Sequence, residues 1–280
     1  MAEPRLVASF FTLSGSGFAQ PPRNGFAERC RAASDGGFAG IGLHAGDLAR
    51  TVASGLDADG MRAVLADTGL ELVEIEFLSG WAFDVDVPEL DATMTAIEET
   101  ADAFGGRHVS TGELRGGTLD LDAAATRLGA LATRLGERGL TLALEAFPWS
   151  ALPDADTAVE LLRRAGAPSA GLMVDVWHFW NGGAHPGLLA DLPAGGVAAV
   201  QLNDGPLVHD DFLRHARAAR MLPGEGDLDV VGLVRAVLAT GFDGPWCVEV
   251  NTPEFNALAV DEAAKRAAAA AGAVLDAARG

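Results

Sequence analysis

Gly171-Leu-Met-Val-Asp-Val-Trp-His178 is an apolar run that ends in an acid and, three residues later, in a histidine. A run of this kind reads as a buried strand that delivers Asp175 to a site. Three other stretches finish the same way: Leu140-Thr-Leu-Ala-Leu-Glu-Ala146, Val197-Ala-Ala-Val-Gln-Leu-Asn-Asp204 and Pro245-Trp-Cys-Val-Glu-Val250. Alternate side chains of a strand share a face. Thr141, Ala143 and Glu145 therefore point one way, as do Gly171, Met173 and Asp175, then Ala199 and Gln201, then Cys247 and Glu249. Mostly small residues lie beneath one polar residue near the top of each strand. That is how the interior of an α/β fold of the (β/α)₈ barrel type looks in sequence, with its chemistry at the carboxyl ends of the strands.

The rest of the chain fits the same scheme. Leu6–Phe11 reads as the first strand, followed by a Gly- and Pro-containing loop and a helix from Gly25 to Ser34. Phe38–His44 is the second strand, and His44 at its carboxyl end is a candidate substrate contact, although a histidine there also serves as a hydrogen-bonded structural residue. In the third strand, Leu70–Phe77, Glu74 and Glu76 share a face. If that face is the lumen, Glu76 reaches the site mouth as a substrate contact; otherwise the two are solvated acids at the barrel bottom or rim. Trp81 and Trp149, in the loops after the third and fifth strands, are candidates to pack against a substrate ring or to wall the pocket. Helices are expected over 57–67, 88–104, 121–138 with Gly139 as carboxyl cap, 156–164 with Asp156 or Thr157 near the cap, 229–240 and 261–278. The fourth strand, Arg107–Leu114, carries His108 and Glu113, both read as structural. Arg214, Arg217 and Arg220 follow one another at a spacing of three; they form either an exposed cationic face or a hold for an anionic or hydroxyl group above the site, with Arg217 the candidate contact.

Composition narrows the partners. With 280 residues, one barrel spanning 1–280 matches the usual size of such a domain, about 250 residues. Net charge is −19, with 20 Lys and Arg and no basic run, so the field repels polyanions and nucleic acid is not an expected partner. Cys30 and Cys247 read as buried single thiols, which suits a reducing cytoplasm. The amino terminus, Met1-Ala-Glu-Pro-Arg, does not resemble a signal peptide, and no apolar stretch is long enough to span a membrane. A cytoplasmic protein is expected, with its oligomeric state left open, a homo-oligomer included.

Three carboxylates and a carboxamide on four consecutive strands raise one question, namely what neutralises them. Carboxylates forced together repel and raise one another's pKa unless a cation is present, so a metal is the expected reason for their convergence. Its ligands would be Glu145, Asp175, Gln201 and Glu249. All are hard oxygens, which favours one Mn²⁺ or Mg²⁺, admits Co²⁺ and disfavours zinc.

These same residues carry a resemblance. The chain is similar to the xylose-isomerase-like TIM-barrel superfamily, in which a Glu, an Asp, a His or Gln and a second Glu bind one divalent metal and the Asp opens an Asp-x-x-His motif, here Asp175-Val-Trp-His178. Gln in the third position resembles hydroxypyruvate isomerase and 3-dehydroshikimate dehydratase. Pro223-Gly-Glu-Gly-Asp227, the helix after it, Gly241–Pro245 and the strand ending in Val-Glu-Val resemble the carboxyl-terminal part of the dehydratase branch. The resemblance implies that Glu145 and Glu249 act as base and acid next to a carbonyl through a metal-stabilised enediolate, with His178 donating a hydrogen bond to a substrate oxygen or relaying the proton. It implies a small polyhydroxylated carbonyl substrate, such as a keto-sugar, inosose or hydroxy-keto acid, and first an isomerase or epimerase. A lyase of the 3-dehydroshikimate or inosose dehydratase type comes next, because the same enolate can expel a β-hydroxyl. An endonuclease IV-like nuclease and a non-catalytic sugar-binding barrel stand further back. The loops Leu78–Phe83 and Phe147–Leu152 hold no arginine or histidine to bind a substrate carboxylate, so 3-dehydroshikimate itself is not the expected main substrate.

Overall fold

Eight parallel strands, β1 (Leu6–Ala8), β2 (Gly40–His44), β3 (Glu71–Leu78), β4 (His108–Thr111), β5 (Thr141–Leu144), β6 (Ala170–Asp175), β7 (Val197–Leu202) and β8 (Trp246–Val248), pair in sequence order, and β8 returns to β1 to close the barrel. The computed structural model describes residues 4–18, 20–84 and 88–280. Residues 1–3, on which the amino-terminal reading partly rests, lie outside them.

The strands are apolar on both faces because each is covered on both. Ile41, Leu43, Leu142, Leu144, Leu172, Val174, Val200, Leu202 and Val248 join the helices in one large buried layer. Inside the ring sit two small clusters, Ala143, Met173, Ala198 and Ala199 in one and Val7, Val73 and Cys247 in the other. The lumen set anticipated by counting in twos, Ala143, Met173, Ala199 and Cys247, is therefore the observed one. Small residues there leave space above them for long polar side chains.

The outer helices follow their apolar spacing. Leu121–Gly136 buries Ala124, Ala125, Leu128, Ala132 and Leu135, a stripe at intervals of three and four. The closing helix Val260–Arg279 buries mainly alanines and packs so closely on Phe26–Gly36 that a Cβ at Gly36 would lie 3.1 Å from the backbone carbon of Ala264. Asp57, Asp120, Asp154 and Asp229 cap their helices by accepting from backbone N–H groups. Some boundaries move. The helix expected from Asp156 is Ala155–Ala165, capped by Asp154, whose Oδ1 accepts from Thr157 N at 2.7 Å. The three arginines do not share a helix: Phe212–Ala218 carries Arg214 and Arg217, and Arg220 lies beyond its end. No helix among the described residues is long and apolar enough to cross a membrane.

A buried ion pair lies within the helical layer. Arg29 Nη2 donates to Asp47 Oδ2, both side chains are 1% exposed, and the guanidinium carbon lies 4.8 Å from the Phe10 ring centre. This pair joins the helix Phe26–Gly36 after β1 to the helix Asp47–Ala53 after β2. Removing one partner of a buried ion pair strands the other charge, so Asp47→Ala should lower the unfolding free energy by about 3–5 kcal/mol, while Arg29→Met/Asp47→Ala should cost clearly less. Urea denaturation of the three proteins checks this; equal midpoints for wild type and Asp47→Ala would show that the pair contributes nothing.

Candidate active site

The carboxyl ends of β5 to β8 bring Glu145, Asp175, Gln201 and Glu249 together, each between 1% and 6% exposed. Backbone pairing sets their heights. Asp175 and Gln201 are register partners, Glu145 N donates to Thr111 O at 2.7 Å, and Glu249 N donates to Leu202 O at 3.0 Å. The Asp-x-x-His spacing has a local cause. Asp175 ends β6 and caps the helix Val176–Asn181, its Oδ1 accepting from His178 N at 2.9 Å. This turn carries the imidazole back over the strand end, where His178 Nε2 lies 3.5 Å from Glu145 Oε1. Phe147, Trp149 and Trp177 hold that ring edge-to-face at centroid distances of 4.8, 5.3 and 5.2 Å. Ligand atoms of Glu145, Asp175 and His178 all lie within 4.8 Å of one another.

A guanidinium occupies the middle of the group. Arg220 Nη1 donates to Asp175 Oδ2 at 2.8 Å and to Glu249 Oε2 at 2.6 Å, and its Nη2 lies 2.6 Å from His178 Nε2. Arginine has no acceptor, so His178 Nε2 accepts here and its proton sits on Nδ1. Arg220 reaches this position because the next residue, Met221, forms an antiparallel bridge with Asp204 just above β7. The Asp204 carboxylate accepts from Gly205, Gly224 and Leu228 N–H groups and fixes the turn that follows. Gly226 must be glycine there, since a Cβ would stand 2.4 Å from Asp204 Oδ1. Asn203 completes the support: Nδ2 donates to Asp175 Oδ2 at 2.6 Å, and Oδ1 accepts from Trp177 N at 2.8 Å.

The charges behave as their crowding requires. Burial first, then Asp175 and Glu249, pushes Glu145 well above the ordinary carboxyl range. Burial raises Glu249 to about 7, with Arg220 pulling the other way. Burial lowers His178 to about 3, which agrees with a neutral ring accepting from Arg220. In the floor of the site, burial works to raise Glu74, yet the hydrogen bond and charge of His108 bring it down to about 2. Burial, with Glu74 and Glu249 beside it, raises Glu76 well above its usual value.

Above these groups opens a cavity of about 400 Å³ walled by Phe11, Phe18, Phe147 and Trp149 and reached by His44, Glu76, Arg217 and Arg220. Glu74 and Glu76 thus face the lumen, and the alternative of solvated acids is excluded, since they are 0% and 2% exposed. Trp81 stands elsewhere than expected: it is 2% exposed, its Nε1 donates to Thr111 Oγ1 at 2.8 Å, and it packs under the loop instead of lining the cavity. Arg217 lies at the pocket wall as expected, but the arginine at the centre is Arg220, which helical spacing placed on the same face as Arg214 and Arg217. The Met221–Asp227 turn was the available signal, because a residue next to a fixed turn is held where a helix end is not. Asn203 and Asp204, read only as a strand extension, are second partners of the site.

The residues fit a divalent cation. Three carboxylates face a single guanidinium, and Gln201 is oriented: its Nε2 donates to Glu74 Oε1 at 3.0 Å, while its Oε1 is buried with no hydrogen-bond partner among the described residues. A buried amide oxygen is costly when nothing meets it, and a hard cation is the partner that this donor set suits.

The model of the xylose isomerase-like TIM barrel family matches residues 30–275. The 3-dehydroshikimate dehydratase of Pseudomonas aeruginosa is 29% identical over 250 residues, 82% of this chain and 37% of that protein; the chain spans less than two fifths of the length of the curated relatives it matches. Among solved structures, a xylose isomerase-like TIM barrel/4-hydroxyphenylpyruvate dioxygenase fusion protein superposes with a TM-score of 0.80 at 23% identity, over 94% of this chain and 41% of that one. The IOLI protein, solved with a bound zinc atom, superposes with a TM-score of 0.83 at 17% identity, over 97% and 98% of the two chains. A closed eight-stranded barrel and a family match over most of its length make this chain a member of the xylose isomerase-like TIM barrel family.

Proposed function

We propose that the chain is a divalent-metal-dependent lyase that removes water from a small, polyhydroxylated, anionic carbonyl compound of the 3-dehydroshikimate kind. The observation that carries the reading is the convergence of Glu145, Gln201 and Glu249 in the lining of a pocket that also holds Arg217 and Arg220, with Asp175 tied to them through the Arg220 guanidinium. The curated relatives' name supports dehydration over simple proton return. Setting 3-dehydroshikimate aside as the main substrate rested on the loops after β3 and β5, which hold no arginine or histidine. The pocket takes its cations from the chain after β7 instead, and Arg217, exposed and without an ion-pair partner among the described residues, stands where a carboxylate would enter.

Glu145, Asp175, Gln201 and Glu249 would hold the metal, and a bound divalent cation polarises a substrate carbonyl as a Lewis acid. The chain's own groups do the rest. One of Glu145 and Glu249 takes the proton from the carbon next to the carbonyl, and the electron pair left there expels the hydroxyl one carbon further on. That hydroxyl leaves as water with a proton from the other glutamate. Burial raises both glutamates above the ordinary carboxyl range, Glu249 to about 7, and a carboxyl near the working pH can both take and give a proton. The aromatic wall of Phe147 and Trp149, ring centres 5.1 Å apart, offers a flat apolar face to a ring and keeps water from the proton-transfer region.

An isomerase or epimerase is the second reading, since the same two glutamates can return the proton without loss of the hydroxyl. Incubating Mn²⁺-loaded protein with 3-dehydroshikimate in D₂O separates them: a conjugated, ultraviolet-absorbing product supports the lyase, and deuterium uptake without water loss supports the alternative. Neither change would remove both.

Two further outcomes follow. Chelation should abolish turnover and lower the melting temperature, and Mn²⁺, Co²⁺ or Mg²⁺ should restore both, because a ligand bound only by the native state stabilises it; full activity in metal-free protein would be incompatible with the site. Glu145→Gln and Glu249→Gln should each lower kcat by about 10²–10⁴ at saturating metal, and His178→Asn by less, as steady-state kinetics at fixed metal activity would show.

A further inference from the structure

Glu74 lies in the barrel floor, 0% exposed, and none of the chemistry above uses it. Its surroundings are unusual for a carboxylate so deeply buried. Oε1 accepts from three side chains, Gln201 Nε2 at 3.0 Å, Ser110 Oγ at 3.1 Å and His108 Nε2 at 3.1 Å, and Oε2 accepts from Cys247 Sγ at 3.2 Å. These donors come from β4, β7 and β8, so the group spans the lumen. The backbone makes room for it. At Gly42, its register partner on β2, a Cβ would stand 3.2 Å from Glu74 Oε2 and 3.2 Å from Glu76 Oε1.

A carboxamide can present either end to a metal, and only its oxygen is a ligand. At position 201 the hydrogen bond to Glu74 is what distinguishes the two ends among the described residues: the carboxylate accepts from Nε2, and Oε1 is left buried and unpartnered in a residue that lines the cavity with Glu145 and Glu249. We propose that Glu74 is the positioning residue of the metal centre, a carboxylate clamp that holds the Gln201 amide with its oxygen toward the cation. Ser110 and His108 keep the clamp in place by filling the remaining acceptor directions of Oε1. The inference rests on the metal reading above, but it needs neither substrate nor a particular reaction.

The test is metal binding without turnover. Mn²⁺ affinity is measured by electron paramagnetic resonance titration, the ligand field by the visible spectrum of Co²⁺-loaded protein, and the fold by the melting temperature of metal-free protein. Glu74→Gln should weaken Mn²⁺ binding by about 10- to 100-fold, the range typical when a partner of a metal ligand is lost, and should change the Co²⁺ spectrum. The reversed pair Glu74→Gln/Gln201→Glu should recover affinity to within a few-fold, because the carboxamide now on β3 would donate and the carboxylate now on β7 has an oxygen at either end. A purely structural role would move the metal-free melting temperature and leave the Co²⁺ spectrum of the loaded variant as in wild type, which would overturn the proposal. Should the single variant not fold, wild-type protein decides: the side-chain amide protons of Gln201 should exchange slowly with solvent by NMR, and exchange at the rate of an exposed glutamine would refute the clamp. Wild-type protein that binds no Mn²⁺ would instead overturn the metal reading itself, and the clamp with it.

Discussion

Negative charge gathered at one end of a closed sheet is the constraint from which the site's architecture follows. Glu145, Asp175 and Glu249 are each buried, and burial together with the neighbouring carboxylates raises Glu145 and Glu249 above the ordinary carboxyl range. Arg220 answers two of the three directly. Its position depends in turn on the Asp204–Met221 bridge and on the turn that the Asp204 carboxylate organises. The segment after β7, which looks like a connecting loop, is therefore part of the charge balance.

A second layer works beneath the first. Glu74, Ser110, His108 and Cys247 form a hydrogen-bonded floor inside the barrel, where most barrels of this kind hold apolar side chains. A network of this sort is tolerable at such depth only when nearly every polar atom has a partner. Two atoms depart from this, Gln201 Oε1 and His108 Nδ1. The first belongs to a residue that lines the cavity together with Glu145 and Glu249.

Much of this was legible in the chain. Strands ending in Glu145, Asp175, Gln201 and Glu249 announce their shared face through period-two alternation, and the small residues beneath them mark the lumen. The Asp175 to His178 spacing was legible as a motif, and its local cause, a helix cap, comes from the structure. What stayed hidden depends on contacts distant in sequence. Arg220 and Arg217 are indistinguishable by spacing until it is known that the helix stops at Ala218. Whether Glu74 and Glu76 face the lumen or water depends on the register of β3 against β2 and β4, which shifts on both sides. Trp81 follows a strand just as Trp149 does, and only the Thr111 hydroxyl beneath it separates the two.

The pairing of β8 with β1 carries a consequence for how the chain comes to be folded. Glu249 follows β8 directly, so it meets Arg220 only when β8 joins the sheet, pairing with β7 on one side and, across almost the whole chain, with β1 on the other. Contacts so far apart in sequence form late and slowly. One strand thus both closes the ring and completes the charges, and an open sheet that has reached β7 leaves Arg220 without one of its two carboxylates, a reason for the chain to complete the circle.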